Sequence, residues 1–209
     1  MLVKKFVLAI TVLCLCSISF AETPAANTVN PQQETATEDG HSDMQHQELT
    51  PDQKSKQGAL LKIVRQSTRR FQDVKLAEAE GYALTFGCVS GSDQGAMGLH
   101  YINFDLVKSG VIDATHPQAI IYEPTANGGA KLTGADYLVL AKTWNQNHSS
   151  PPELMGQLFH LFESPNRFGL PAFYTLHVWA WKDNPNGAFV NWHPNVSCEQ
   201  FAGTSDSTR

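Results

Sequence analysis

The sequence predicts an α+β fold in which N-terminal helices pack on a largely antiparallel β-sheet, within a single domain that contains one disulfide. Two observations predict it. Apolar residues have a helical spacing between positions 50 and 80, and short β-rich runs separated by turns follow from Tyr82 onward. Helices grouped before strands are typical of the α+β class. The predicted domain covers residues 50–201, which is long enough for one adequate core.

Residues 1–21 have the three parts of a secretory signal peptide. Lys4 and Lys5 give a positively charged start, residues 6–20 form an apolar stretch, and small residues precede a cleavage point after Ala21. The apolar stretch is shorter than the ~20 residues of a transmembrane helix. We therefore predict export, cleavage after Ala21, no stable membrane span in the mature chain, and a periplasmic or secreted location.

A lipoprotein is the rival interpretation of this segment, because Cys14 and Cys16 lie within it. Lipobox cleavage normally requires a small residue just before the modified cysteine, whereas Leu13 and Leu15 occupy those positions. Simple cleavage is therefore favoured, and retention at the membrane stays the alternative.

The mature chain is acidic. Removal of Lys4 and Lys5 from the 15 basic residues leaves 13 against 20 acidic ones, so the formal net charge changes from −5 to −7. A chain of this charge is not expected to bind nucleic acid, which requires a basic surface to neutralise phosphates. Residues 22–49 contain no Lys, Arg or aromatic residue, and they are predicted to be a disordered polar leader. Residues 202–209 are predicted to be a flexible tail.

Two of the four cysteines, Cys88 and Cys198, remain after cleavage. In an exported chain, two cysteines most simply pair with each other. The bridge would close a loop of 110 residues, which stabilises the fold by roughly 4–5 kcal/mol on the chain-entropy account. The alternatives are two separate thiols or a pair of metal thiolates.

The first helix has a clear start signal. Thr50 suits the N-cap, Pro51 suits the first helical position, and Gln53 completes a capping box. The residues that follow the helical rhythm beyond it are Leu60, Ile63, Val64, Ser67 and Phe71. A second short helix is predicted from Asp73 to Glu80, with Gly81 at its end. Both helices are expected to pack on the sheet rather than to form a site.

The strand signals lie in the second part of the chain. The candidates are residues 97–102, residues 119–123, residues 131–140 and residues 172–181, of which the last has aromatic and β-branched residues throughout. Residues 154–163 are ambiguous between a buried strand and a short helix.

The strongest strand candidate, residues 172–181, has a polar aromatic face. With a period of two, Thr175, His177, Trp179 and Trp181 lie on one face, and the opposite face is core. The two indoles are therefore candidates for contact with a bound ligand. The alternative is that this face fills a second core layer, because strands at the centre of a sheet often have two buried faces.

Histidines along the predicted strands suggest a metal site. If the strands are neighbours, His100, Glu123 and His177 could converge at one end of the sheet, and His160 is a further candidate ligand, as is His193. Two imidazoles and a carboxylate form a common first shell for zinc, copper or iron. The sequence has no H-E-x-x-H motif and no close Cys-x-x-Cys pair. The alternative is that each histidine is a hydrogen-bonded core or rim residue.

Several motifs together resemble a group of uncharacterised exported bacterial proteins. They are Gly87-Cys88-Val89-Ser90-Gly91, Gly98-Leu99-His100-Tyr101, Tyr122-Glu123-Pro124 and the run from Leu176 to Gly187. The resemblance covers roughly residues 50–201. It implies a bacterial, extracytoplasmic origin and one compact domain, and it assigns no catalytic residue.

The resulting functional expectation is an exported binding protein that holds a transition metal or a small ligand at a histidine and tryptophan site. The first alternative is a metal-dependent hydrolase or oxidoreductase that uses the same residues, with Glu123 or Glu163 as general base. The second is a non-catalytic interaction domain whose aromatic residues are simply core.

Overall fold

A computed structural model of the chain describes residues 48–91 and 93–203 and the backbone of residues 206–207. The predicted signal peptide, and the predicted leader up to residue 47, lie outside the described residues. So does most of the predicted C-terminal tail beyond residue 203. Among the described residues, no helix has the length and apolar character needed to cross a membrane.

Helix α1 (Pro51–Thr68) begins where the sequence predicts. The Thr50 hydroxyl accepts a hydrogen bond from the Gln53 amide at 3.2 Å, and Gln53 Oε1 accepts one from the Thr50 amide at 2.8 Å. This reciprocal pair satisfies two amides that a helix start leaves open. A 3₁₀ helix (Arg69–Gln72) and α2 (Val74–Ala79) follow, and Asp73 caps α2 through the Lys75 amide.

One sheet dominates the remainder of the described chain. Its strands are β1 (Ala83–Ser90), β2 (Ala96–Ile102), β3 (Ala119–Pro124), β4 (Ala130–Leu140), β7 (His160–Phe162), β8 (Phe173–Val178) and β9 (Asp206–Ser207). The spatial order is β7-β8-β4-β3-β2-β1-β9. All neighbours are antiparallel except β1 and β9. Helices α3 (Phe104–Ser109) and α4 (Ala141–Asn145) lie in the connections. The predicted α+β class is confirmed.

The ambiguous segment 154–163 forms short strands rather than a helix. Strands β5 (Glu153–Leu154) and β6 (Gln157–Leu158) make a small hairpin, and β7 then pairs with β8.

The two faces of the sheet are covered by different parts of the structure. On the helix-covered face, Leu60 and Val64 of α1 pack against Tyr137, Leu176 and Val178. On the opposite, loop-covered face, Phe168 and Leu170 from the β7–β8 connection and Val196 from the C-terminal segment pack on Ile121, Leu138 and Phe173.

The disulfide is present, as predicted. Cys88 of β1 is bonded to Cys198, with an S–S distance of 2.04 Å and a Cα–Cα distance of 5.7 Å. Close to it, His193 and Ala96 form an isolated antiparallel bridge. The C-terminal segment is therefore attached to the sheet at β1 and at the start of β2.

One prediction about the β8 segment is wrong. The strand ends at Val178, where the Ala180 amide donates to the Val178 carbonyl at 2.9 Å and breaks the alternation of side chains. Trp181 consequently does not share a face with His177. Its indole nitrogen donates to Thr68 Oγ1 at 2.9 Å, on the helix-covered face.

Candidate metal centre

Three side chains meet on the loop-covered face: His100 from β2, Asp136 from β4 and His177 from β8. Each offers a ligand atom within 4.8 Å of the others. The side chains are almost completely shielded, with 4%, 3% and 3% of their surfaces exposed. Asp136 and His177 are directly opposite each other in the β4–β8 ladder.

The approach of His100 to His177 requires a curled sheet. Three steps of about 4.8 Å separate β2 from β8, so on a flat sheet the two strands would lie about 14 Å apart. Two glycines permit the curvature. A Cβ added at Gly98 would lie 2.4 Å from the Tyr122 carbonyl oxygen, and one at Gly134 would lie 2.4 Å from that of Val178. Only glycine allows the backbones to approach this closely.

The polar contacts within the cluster run in series from one residue to the next. The Gly98 carbonyl lies 3.1 Å from His100 Nδ1, His100 Nε2 lies 3.3 Å from His177 Nε2, and His177 Nδ1 lies 3.5 Å from Asp136 Oδ1. Thr175 completes the series, because its hydroxyl donates to Asp136 Oδ1 at 2.5 Å. The last link between imidazole and carboxylate is too long for a good hydrogen bond. His177 Nδ1 accordingly makes no hydrogen bond of good geometry among the described residues, although the side chain of Asn191 is near enough to interact with this ring.

The contact with the Gly98 carbonyl fixes the tautomer of His100. A carbonyl oxygen can only accept, so His100 Nδ1 carries the proton and its Nε2 presents a lone pair. A proton on His177 Nδ1 would interact favourably with the carboxylate beside it, which leaves a second lone pair on His177 Nε2. In this tautomer the two lone pairs point at each other across 3.3 Å. Either a proton on His177 Nε2, donated to His100 Nε2, or a cation between the two Nε2 atoms removes this conflict.

Burial sets the charge of the cluster. It lowers the pKa of His100 to about 4, and the neighbouring His177 contributes to the shift. It also lowers the pKa of His177 to about 3, helped by the charge of His160. Burial raises the pKa of Asp136 to about 6, against the opposing hydrogen bond from Thr175. At neutral pH the cluster is therefore two neutral imidazoles and one carboxylate, with a net charge of −1.

A cavity of about 20 Å³ lies beside the cluster. Its walls include four phenylalanines and one methionine, which are Phe86, Phe162, Phe168, Phe173 and Met97. This volume is enough for one water molecule or one ion. A small organic ligand would not fit without a rearrangement of the phenylalanine side chains.

Two irregularities of β1 and β2 shape these walls. The register shifts between Thr85 and Cys88 and again between Val89 and Ser90. Phe86 lies in the first irregularity with φ +67°, a left-handed conformation that is unusual for a phenylalanine. Met97 lies in the second. Bulges of this kind redirect side chains and are frequent next to functional sites.

The predicted ligands are only partly brought together. His100 and His177 converge, but Glu123 lies elsewhere and accepts hydrogen bonds from Lys182 Nζ at 2.7 Å and from the Ser197 amide at 3.2 Å. His160 is exposed on the edge strand β7, directly opposite Thr175. It lies at the edge of the sheet and is not part of the cluster of His100, Asp136 and His177.

The remaining predicted residues are held by packing and hydrogen bonds. Trp179 is 2% exposed, its ring centre lies 6.0 Å from that of His177, and its indole nitrogen donates to the Val190 carbonyl at 2.6 Å. His193 is fully buried against Trp179, and its Nδ1 accepts from the Asn195 amide. His193 is therefore a core residue, as the alternative interpretation of the histidines expects. Trp179 packs behind His177.

Asp136 was not among the predicted site residues. Its signal in the sequence is an acidic residue followed by the apolar run Tyr137-Leu138-Val139-Leu140 within the β4 prediction. A buried carboxylate in such a run requires a partner, and this requirement marks it as a candidate.

Comparison with known proteins does not add to this description. No protein-family model, no curated protein and no solved structure matches the chain.

Proposed function

We propose that this chain is an exported protein that binds one transition metal ion between His100 and His177, with Asp136 as the charged partner of the site. The observation that carries the proposal is the 3.3 Å separation of the two Nε2 atoms. Two nitrogen ligands at about 2.05 Å from a tetrahedral ion lie about 3.3 Å apart, so the spacing already fits an ion.

The hydrogen bonds around the cluster support the same proposal. Metal-bound histidines usually donate their other ring nitrogen to a carbonyl or a carboxylate, which orients the ring. The Gly98 carbonyl is in this position for His100, and Asp136 Oδ1, 3.5 Å from His177 Nδ1, would reach this position for His177 after a small approach. Thr175 holds the carboxylate in turn.

The electrostatics favour a bound metal cation over an added proton or an uncompensated carboxylate. A buried carboxylate with only neutral neighbours is costly. Because the pKa values of both imidazoles are low, a proton does not supply the missing positive charge at neutral pH. A metal ion does, and it needs neutral imidazoles as ligands.

Export is the second part of the proposal. It rests on the signal-peptide features of residues 1–21 and on the Cys88–Cys198 disulfide, because disulfides persist mainly in oxidising compartments.

No specific observation favours the other predicted functions. The proposed general bases lie away from the cluster, since Glu123 is paired with Lys182 and Glu163 is exposed. The interaction-domain alternative expects four buried tryptophans, whereas only Trp179 among them is fully buried.

The test is the metal content of untagged protein purified from the periplasm, measured by mass spectrometry. We expect a near-stoichiometric transition metal in the parent and its loss in His100→Ala/His177→Ala. The matched control is His116→Ala/His148→Ala, which removes two exposed histidines and should retain the metal. Equal metal content in both double variants, with circular dichroism unchanged, would refute the proposed site.

A further inference from the structure

We infer that the ion held between the two histidines is monovalent copper, and that the thioether of Met97 is its third ligand. The inference rests on the proposed metal site and adds the identity of the metal and a residue that the histidine pattern does not reveal.

The position of Met97 depends on the second irregularity of the β1–β2 ladder. Ser90 pairs with Ala96 and Val89 pairs with Gly98, so Met97 is the inserted residue that has no partner on β1. Met97 lies three residues before His100, and strict alternation would therefore direct the two side chains to opposite faces. The bulge removes this conflict, and Met97 lines the same cavity as His100 and His177.

The chemistry of the three donors selects a soft metal. Thioether sulfur binds Cu(I) well, and imidazole nitrogen also suits copper, whereas magnesium, calcium and manganese prefer oxygen ligands. Met97 is 1% exposed, so its side chain is shielded from water, and the residue lines the same cavity as the two imidazoles.

The size of the cavity limits the coordination number. Magnesium and other metals that prefer six ligands complete their shell with several water molecules. About 20 Å³ bounded by phenylalanine rings has room for one ion or one water molecule but not for such a shell. Cu(I) is stable with two to four ligands, so the three protein donors are sufficient.

The test compares two metals in three proteins. Cu(I) affinity is measured anaerobically by competition with bicinchoninate, and Zn(II) affinity by competition with a chromogenic chelator, for the parent, Met97→Leu and Met155→Leu. Leucine conserves the volume of methionine, so both variants should fold. Met155 packs against the hydrophobic core on the helix-covered face, away from the metal site, and serves as the matched control. We expect Met97→Leu to weaken Cu(I) binding about tenfold or more and to leave Zn(II) binding unchanged.

X-ray absorption of the copper-loaded parent supplies an independent readout, because a sulfur scatterer should be present in the parent and absent in Met97→Leu. Unchanged Cu(I) affinity in Met97→Leu, or no sulfur scatterer in the parent, overturns the copper inference and leaves the metal site intact. A parent that binds neither metal overturns the proposed function together with this inference.

Discussion

Replacement of Asp136 by asparagine should stabilise the metal-free protein at alkaline pH, although it removes a side chain from the proposed metal site. The carboxylate is 3% exposed, and burial raises its pKa from 3.8 to about 6. A raised pKa means that the fold disfavours the ionised form. Above pH 6 the folded protein therefore carries a cost of about 3 kcal/mol, since each pKa unit corresponds to about 1.4 kcal/mol.

Asparagine has nearly the shape of aspartate, and its side-chain oxygen can still accept the hydrogen bond from Thr175. We therefore expect Asp136→Asn to raise the free energy of unfolding by up to about 3 kcal/mol at pH 8. At pH 5 the parent carboxylate is mostly protonated in the folded state, and the gain should fall to roughly half of that value. Urea denaturation of chelator-treated protein at the two pH values, with the disulfide intact, measures the difference.

The exposed Asp113 provides a control of opposite sign. Its pKa is lowered by the Thr115 amide and by His116, so Asp113→Asn should destabilise the protein at pH 8. If Asp136→Asn is no more stable than the parent at pH 8, or if its advantage is the same at pH 5, the reasoning about a buried, uncompensated carboxylate is wrong.

Three further predictions concern the fold around the site. Because the folded pKa values of His100 and His177 lie below the ordinary 6.5, their contribution to stability is complete above that pH and is lost as the pH falls toward 4. Urea midpoints of the metal-free parent should fall over this range, and a His100→Gln/His177→Gln variant should show a flatter profile; equal slopes would contradict the assignment. Gly98→Ala should destabilise the protein by about 2 kcal/mol or more, because φ is +92° and the added Cβ would meet a backbone carbonyl. Gly58→Ala, in open space on α1, should be neutral or stabilising, and thermal melts that rank the two alike would refute the steric argument. Reduction of the disulfide should cost about 4–5 kcal/mol in denaturant titrations, and a loss below ~1 kcal/mol would contradict the loop-closure account.

The sequence predicts features that depend on a few adjacent residues. The capping box at Thr50 is an example, because its two hydrogen bonds join residues three positions apart. The disulfide is predictable for a different reason, since only two cysteines follow the predicted cleavage point. Both conclusions require no knowledge of how the strands are arranged.

The site itself depends on contacts that are distant in the sequence. His100 and His177 meet because the sheet curls at Gly98 and Gly134, where each glycine faces the backbone of another strand. Neither close approach can be read from local spacing. The prediction of Glu123 as a ligand and the omission of Asp136 have the same origin, because the partner of Glu123 is Lys182, which is 59 positions away.

The early end of β8 explains the remaining error. An alternating pattern predicts faces only while the chain stays extended, and the tight hydrogen bond from Ala180 to Val178 ends the extended conformation. Trp179 and Trp181 therefore lie on different sides of the sheet, although the sequence between them contains no glycine or proline.

The phenylalanine walls of the cavity have a consequence for the timing of metal exchange. Both imidazoles are nearly inaccessible, so an ion can enter or leave only after some of these side chains move. Phe168 belongs to the connection between β7 and β8, and β7 is an edge strand of three residues. Local opening at such an edge costs less than global unfolding. The residence time of the ion would then depend on how often this edge opens, and mutations there should change the exchange rate of the metal without changing its equilibrium affinity.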